Sequence, residues 1–205
     1  MFFKKLFGIG SDTEDLHFKV VDLKQGTQQW LNWRHSGIGA SDASTIMNEN
    51  RFKSPDELLH EKQNKVDIEE NVKMQKGKDL EPIARTLYQK NTKIMVQPIC
   101  IQSILYPWLI ASLDGISNDY KKLVEIKCGE SAYKQAAQNI IPNYYFGQLQ
   151  HQLMVTGLNS LDYWCYWPGE MGILIRVNRD NSYIKKLFKQ EEKFYQSMMT
   201  ERGDR

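Results

Sequence analysis

Two carboxylates and a lysine lie close together near the middle of the sequence, within two apolar segments. Asp114 ends the run Ala-Ser-Leu-Asp, and Glu125 and Lys127 belong to Leu-Val-Glu-Ile-Lys. Because side chains alternate along a strand, Glu125 and Lys127 point to one face, and a preceding strand would bring Asp114 beside them. Two hard oxygen ligands suit a divalent cation. A nearby ammonium can orient a cation-bound water and offset charge on an attacked phosphate.

Each fragment alone also has an ordinary structural explanation. A Glu-x-Lys pair is common on solvated strand edges, and Asp-Gly is a common turn sequence. The hypothesis of a phosphodiester-cleaving site therefore depends on which other residues converge on the two acids.

A third acid, Glu81, lies in a segment with helical periodicity from about residue 72 to residue 91. It shares a helix face with small and apolar residues such as Ala84. A carboxylate at the edge of a buried stripe needs a partner. That partner is either the cation site or an ion pair with Arg85 or Lys78, one turn away, and both alternatives stay open.

A later helix, predicted from Pro142 to Thr156, carries polar groups on one face. Tyr145, Gln148 and Gln152 follow helical spacing there, which indicates contacts to a water, a metal-bound group or a phosphate. The alternative is that the amides face solvent. His151 has no second histidine at helical spacing, so it is predicted to lie at an interface or in solvent rather than to bind a metal.

The segment from Arg34 to Ser41, Arg-His-Ser-Gly-Ile-Gly-Ala-Ser, predicts an anion pocket. Its glycines allow close approach of the main chain, Ser41 stands at a helix start, and the guanidinium of Arg34 suits a phosphate. It is not a P-loop, because no Gly-Lys-Ser/Thr follows. A turn that leads into a helix cap is the alternative explanation.

The elements that must position these residues suggest a layered fold. Helical patterns come first, followed by strands near 94–101 and 108–113 and by the strand with Glu125 and Lys127. Two helices, a hairpin and a final helix complete the order. This order predicts an α/β (α+β) fold with a central mixed sheet of about five strands flanked by helices.

Length and composition fit a single domain at residues 25–205, preceded by a loosely ordered arm at residues 1–24. The chain has 205 residues and a net charge of +2, which neither demands nor excludes a nucleic-acid partner. No apolar run approaches the length of a membrane span. Three dispersed cysteines indicate neither a disulfide framework nor a zinc site, so the cytoplasm is the expected compartment.

Taken in order, these segments resemble the YqaJ-type viral recombinase (phage lambda exonuclease) family of the PD-(D/E)xK nucleases. The resemblance covers roughly residues 28–177 and implies a restriction-endonuclease-like core. The matching motifs are Trp30…Arg34…Gly39-Ala40-Ser41, Gly77…Glu81…Ala84-Arg85, Leu113-Asp114-Gly115, Glu125-Ile126-Lys127-Cys128 and Tyr145…Gln148-Leu149-Gln150.

The resemblance implies a DNA exonuclease that uses Mg²⁺, with Mn²⁺ able to replace it. Such an enzyme digests one strand of linear duplex DNA from its 5′ end and leaves a 3′ overhang for recombination. The implied partners are duplex DNA ends, a single-strand annealing protein and further copies of the chain in a toroidal trimer. Alternatives are an endonuclease of the resolvase or restriction type and a non-catalytic DNA-end-binding recombination subunit.

The resemblance also assigns roles to individual residues. Lys127 would position or activate the attacking water, and Gln148 would orient that water or Lys127. The residues that would hold or contact the metal are Asp114, Glu125, Ile126 through its main-chain carbonyl, and Glu81.

For DNA binding, Arg34 and Ser41 match the residues that grip the terminal 5′-phosphate, and Tyr145 of the last motif is assigned to the same DNA-binding group. The sequence departs from the family at two places. Leu113 replaces the leading proline of the motif, which leaves the chemistry unchanged. An arginine expected shortly after the catalytic lysine is missing, and Lys134 would replace it as a point charge without the bidentate fork.

Overall fold

The computed structural model describes residues 16–66 and 72–200, which form one sheet with helices on both faces. The strands are β1 (Phe18–Val21), β2 (Ile38–Gly39), β3 (Gln97–Ser103), β4 (Leu109–Ile116), β5 (Leu123–Cys128), β6 (Ser160–Tyr166) and β7 (Ile173–Asn178). The helices are α1 (Gln28–Ser36), α2 (Ala43–Ile46), α3 (Pro55–Asn64), α4 (Val72–Thr92), α5 (Glu130–Ala136), α6 (Asn143–Thr156) and α7 (Asn181–Thr200), and a 3₁₀ turn at Ala40–Asp42 precedes α2. Within the described ranges, none of the helices combines the length and the apolar character that crossing a membrane requires.

The sheet is mixed. Six strands follow the order β1-β3-β4-β5-β6-β7, and the short β2 pairs with β4. All neighbours are antiparallel except β5 with β6 and β2 with β4. Parallel neighbours need a crossover connection, which α5 and α6 supply between β5 and β6. The predicted α/β class with a central mixed sheet is thus confirmed, and within the described residues the sheet has seven strands where about five were predicted.

Two hydrophobic clusters pack on opposite faces of the sheet. One cluster joins β5 to α4 and includes Val124, Ile126, Ala84 and Tyr88. The other joins β5 to α6 and includes Leu123, Leu149 and Leu153. Because side chains alternate along a strand, Glu125 and Lys127 share the face of Leu123 and point towards α6.

Local sequence sets several helix ends as predicted. α3 begins after Ser54, whose hydroxyl oxygen accepts a hydrogen bond from the N–H of Glu57, while the Glu57 carboxylate accepts one from the N–H of Ser54. α6 ends at Gly157, which has φ +76°. A side chain there would be strained, and its Cβ would lie 2.4 Å from the ring of His17.

The predicted arm at residues 1–24 is wrong for its last part. Phe18–Val21 forms β1, an edge strand that pairs antiparallel with β3 through Cys100–Ser103. Phe18 is buried in the core. The pairing partner β3 lies about 80 residues further along the chain, so no local sequence pattern predicted this strand. Residues 1–15 and 201–205 lie outside the described part of the chain.

Of the two predicted positions of His151, an interface or solvent, the solvent position is wrong, because its side chain is buried completely. Its Nδ1 lies 2.7 Å from Oε1 of Glu191 in α7, and its Nε2 lies 2.9 Å from the main-chain oxygen of Ile110 in β4. The carbonyl can only accept, so Nε2 donates to it. His151 therefore connects α6 to β4 and to α7.

Candidate active site

The ladder between β4 and β5 stops just before the two predicted acids. Its last pair is Gly115 with Val124, and a Cβ on Gly115 would lie 2.8 Å from the side chains of Val124 and Val96. At the next position, Asp114 Oδ2 accepts a hydrogen bond from the main-chain N–H of Ile126 at 2.8 Å. The N–H and C=O of a strand residue point to the same edge, so the Ile126 carbonyl also faces β4.

Glu125 is almost fully buried, at 1% exposure, and both of its carboxylate oxygens accept hydrogen bonds. Gln148 Nε2 donates to Oε1 at 2.6 Å, and Gln152 Nε2 donates to Oε2 at 2.5 Å. The two amides come from successive turns of α6, so their predicted shared face is confirmed and the solvent alternative is wrong. The sequence predicts for Gln152 only a general contact to a water, a metal-bound group or a phosphate, and in the structure its amide binds the Glu125 carboxylate.

Lys127 lies between the acid and the helix. Its Nζ is 2.7 Å from Glu125 Oε1, donates to Gln148 Oε1 at 3.1 Å, and lies 4.5 Å from the ring centroid of Tyr145. Burial alone would lower the pKa of Lys127, but Glu125, Tyr145 and Asp114 together raise it above its ordinary value. The neighbouring acids therefore favour the charged, ammonium form of Lys127.

The carboxylate–lysine cluster consists of Asp114, Glu125, Lys127 and Gln148. Glu81 is connected to this cluster through Arg85. Its carboxylate pairs with the Arg85 guanidinium one turn along α4, as one of the two sequence alternatives proposed. Arg85 Nε also donates to the main-chain oxygen of Asp114 at 2.6 Å, which fixes α4 against the end of β4. Burial and the nearby Glu125 raise the pKa of Glu81.

The donor set suits a hard divalent cation. Burial, followed by the charges of Glu125 and Glu81, raises the pKa of Asp114 well above its ordinary value, and a bound cation would relieve that repulsion. Asp114 Oδ1 accepts no hydrogen bond from the described residues, so it is open to a ligand. Within residues 16–66 and 72–200, no three His, Cys, Asp or Glu side chains gather as ligands. Two carboxylates, a main-chain carbonyl and several waters match the way Mg²⁺ is usually held.

We expect Gln152→Leu to lower the free energy of unfolding by about 1–3 kcal/mol, because the buried Glu125 carboxylate would lose a donor. Gln152 Oε1 has no hydrogen-bond partner in the described chain, so the change removes this one side-chain bond. Urea unfolding measures the effect, with Gln190→Leu on the exposed face of α7 as the control. Equal unfolding curves for the wild type and Gln152→Leu would contradict the assigned role.

A second group of residues forms the candidate anion pocket. Arg34 Nη2 donates to Ser41 Oγ at 2.7 Å, and the guanidinium lies 4.9 Å from the centroid of the Trp30 ring. Trp30 Nε1 donates to Ser112 Oγ at 2.8 Å, two residues before Asp114 on the same strand. The stacked tryptophan thus ties Arg34 to the strand that carries the first acid.

One cavity joins the two groups. Its volume is about 150 Å³, room for several water molecules, and its lining includes Arg34, Ser41, Asp114 and Gln148. A phosphodiester bound near Asp114 could therefore extend its terminal phosphate to the anion pocket. The structure brings these predicted residues together on the same cavity.

Lys134 does not join this group. Its side chain is 71% exposed at the end of α5. Its Nζ pairs with Glu130 at 2.7 Å, and Lys134 is absent from the lining of the cavity. Tyr145, in contrast, lies against Lys127.

Among curated proteins, the chain is 29% identical over 175 residues to the uncharacterized protein YqaJ of Bacillus subtilis, a match that covers 82% of this chain. It is 27% identical over 165 residues to the uncharacterized protein R354 of Acanthamoeba polyphaga mimivirus, with 73% of this chain covered. The matches span only 54% and 30% of the lengths of these relatives.

Among solved structures, the chain is similar to the alkaline exonuclease LHK-Exo of Laribacter hongkongensis, which has also been solved in complex with dAMP. The TM-score is 0.76 at 25% identity, and the match covers 85% of this chain and 94% of LHK-Exo. A phage-related exonuclease of Haemophilus somnus 129PT shares the fold at a TM-score of 0.62 and 14% identity, covering 84% of this chain and 99% of that one.

The sequence also matches a protein family directly. Residues 29–159 match the family described as YqaJ-like viral recombinase domain, and this region contains every residue of the cluster and of the anion pocket. Since the match covers more than half of the chain, the protein belongs to the YqaJ-like viral recombinase family.

Proposed function

We propose that this protein is a metal-dependent deoxyribonuclease that digests linear duplex DNA from the 5′ end. The observation that carries the proposal is the shared cavity, which places Asp114 of the carboxylate–lysine cluster on the same surface as Arg34 and Ser41. A chain end that enters this cavity would meet the cation site and the anion pocket together. An enzyme that cuts within a strand has no need of a pocket for a terminal phosphate.

The residues of the cluster have complementary roles in this proposal. Asp114, Glu125 and the Ile126 carbonyl would hold Mg²⁺, or Mn²⁺ in its place. The bound metal would supply an activated water and stabilise charge on the leaving oxygen. Lys127, kept charged by Glu125, would stabilise the negative charge that grows on the phosphate. Gln148 hydrogen-bonds to both Glu125 and Lys127 and would fix the position of one side chain relative to the other.

The other residues would act around this centre. Glu81, held by Arg85, would contact the metal site directly or through a water. Tyr145 would keep Lys127 in place with its ring face, and Arg34 and Ser41 would hold the terminal phosphate of the 5′ end.

Family membership and the exonuclease names of the structural neighbours support the further course of the reaction. The products would be mononucleotides and a 3′ overhang that a single-strand annealing protein takes over. A trimeric ring of subunits around the duplex would keep the enzyme on its substrate between cuts. We propose the cytoplasm, of a host cell if the gene is viral, as the site of this reaction.

Digestion of end-labelled linear duplex with and without Mg²⁺ tests the proposal. We expect labelled 5′ ends to be released as mononucleotides only with the metal, and faster from 5′-phosphorylated than from 5′-hydroxyl ends. Covalently closed circles of the same sequence should remain intact. Cleavage of closed circles would identify an endonuclease, and binding of ends without any cleavage would identify a non-catalytic subunit.

We expect Arg34→Ala to reduce the preference for 5′-phosphorylated over 5′-hydroxyl ends by roughly tenfold, because one charge-assisted pair with the phosphate is lost. The measurement is the ratio of kcat/KM for the two kinds of end. Lys134→Ala is the comparison variant and should have a smaller effect, since its side chain is exposed and paired with Glu130. An unchanged ratio in Arg34→Ala would contradict the prediction that Arg34 binds the terminal 5′-phosphate.

A further inference from the structure

Lys62 is a buried lysine that touches three groups around the anion pocket. Its Nζ lies 2.6 Å from Oδ2 of Asp42 and donates to the main-chain oxygens of Arg34 at 2.8 Å and Gly37 at 2.9 Å. Only 4% of the residue is exposed. Lysine is seldom buried to this degree unless it is paired. Lys62 belongs to α3, a helix that supplies none of the residues assigned to the reaction.

Its partner, Asp42, stands next to Ser41 in the 3₁₀ turn. The Asp42 carboxylate also accepts a hydrogen bond from the N–H of Gly39 at 2.8 Å and is 5% exposed. Burial alone would raise the pKa of Asp42, but Lys62 and then Arg34 outweigh it and lower the pKa. Both cations are thus within electrostatic reach of one buried carboxylate.

This arrangement sets up a competition for Arg34. An uncompensated carboxylate beside Ser41 would repel an incoming phosphate, and it would also attract the Arg34 guanidinium. In the structure Lys62 occupies the carboxylate, and Arg34 Nη2 is directed to Ser41 Oγ instead. The two hydrogen bonds from Lys62 to main-chain oxygens also fix the end of α1, the part of the helix that carries the Arg34 side chain.

We propose that Lys62 is a positioning residue for 5′-phosphate recognition: it neutralises Asp42 so that Arg34 remains available to the phosphate. The inference rests on the proposed function, because it requires that Arg34 and Ser41 bind the terminal phosphate. Lys62 itself does not contact the DNA in this scheme. A lysine that only stabilised the fold would affect the unfolding of the protein and leave the selectivity between ends unchanged.

The test compares the affinities of 5′-phosphorylated and 5′-hydroxyl duplex ends in EDTA, and the kcat and KM for both ends with Mg²⁺. We expect Lys62→Met to reduce the preference for the phosphorylated end by about tenfold, mainly through binding and KM. The double variant Asp42→Asn/Lys62→Met should recover the preference, because it leaves no carboxylate to attract Arg34. Lys185→Met removes an exposed lysine of α7 that is remote from the anion pocket, and it should behave like the wild type.

Asp42→Asn alone keeps the test decisive if Lys62→Met does not fold. This variant should show a preference at least equal to that of the wild type, because the competing acid is gone. A loss of preference in Asp42→Asn, or no recovery in the double variant, would overturn the role of Lys62. A wild-type preference that persists in folded Lys62→Met would do so as well. A wild type that treats both ends alike would instead remove the pocket on which the proposed function depends.

Discussion

Asp114→Asn is expected to lower the rate of DNA cleavage by on the order of 10³-fold or more, because the metal would lose an anionic ligand. The same change should stabilise the metal-free protein at neutral pH. Burial and the charges of Glu125 and Glu81 raise the pKa of Asp114, so its ionised form costs free energy in the folded state. Asparagine removes that charge and keeps an oxygen that can accept from the N–H of Ile126.

The dependence on pH has a definite sign. When folding raises the pKa of a carboxyl, the folded protein loses stability as the pH rises from the pKa of the unfolded state, about 3.9, to the higher pKa of the folded state. The advantage of Asp114→Asn should therefore be largest at neutral pH and shrink as the pH approaches about 4. A gain of about 1 kcal/mol would raise the melting temperature by roughly 2–4 °C in a domain of this size.

Thermal unfolding with and without Mg²⁺ measures both the stability of the metal-free protein and the loss of metal binding. The metal should raise the melting temperature of the wild type and leave that of Asp114→Asn unchanged. Asp79→Asn, on an exposed part of α4, is the matched control and should resemble the wild type. Cleavage at the wild-type rate by Asp114→Asn would remove the proposed metal site.

Lys127→Met is expected to lower kcat by about 10²–10³-fold while metal binding is retained. The ammonium lies 2.7 Å from Glu125 Oε1, so its removal leaves the carboxylate with a free acceptor site for a cation. Calorimetric titration with Mn²⁺ and single-turnover cleavage separate the two effects. Lys90→Met, on the exposed surface of α4, serves as the control.

The contrast between the two variants carries the mechanistic information. Asp114→Asn should fail in metal binding, whereas Lys127→Met should fail in the chemical step after the metal is bound. If Lys127→Met lost metal affinity in the same measure as activity, its role would be to hold the site together rather than to stabilise charge on the phosphate.

Much of this site could be predicted because it depends on short-range patterns. The alternation of Glu125 and Lys127 in β5 and the spacing of Gln148 and Gln152 in α6 determine which side chains share a face. The limits of α7 and the start of α3 likewise follow from periodicity and capping. These features involve residues within one element, where the periods of strands and helices are fixed.

The parts that escaped prediction depend on partners distant in sequence. β1 becomes a strand only because β3 offers an edge. Arg85 could be recognised as a partner of Glu81, but its bond to the main chain of Asp114 could not. His151 lacked a visible partner because Glu191 is forty residues away.

The contact between His151 and Glu191 affects how much of the chain is needed to hold the candidate site in place. Glu191 lies in α7, beyond residues 29–159 that define the family match, and it lines no part of the cavity between Asp114 and Arg34. Yet it binds His151 of α6, the same helix whose Gln148 and Gln152 donate to Glu125. The helix α7 thus supports the helix that holds Glu125, and a fragment trimmed to residues 29–159 would lack this support.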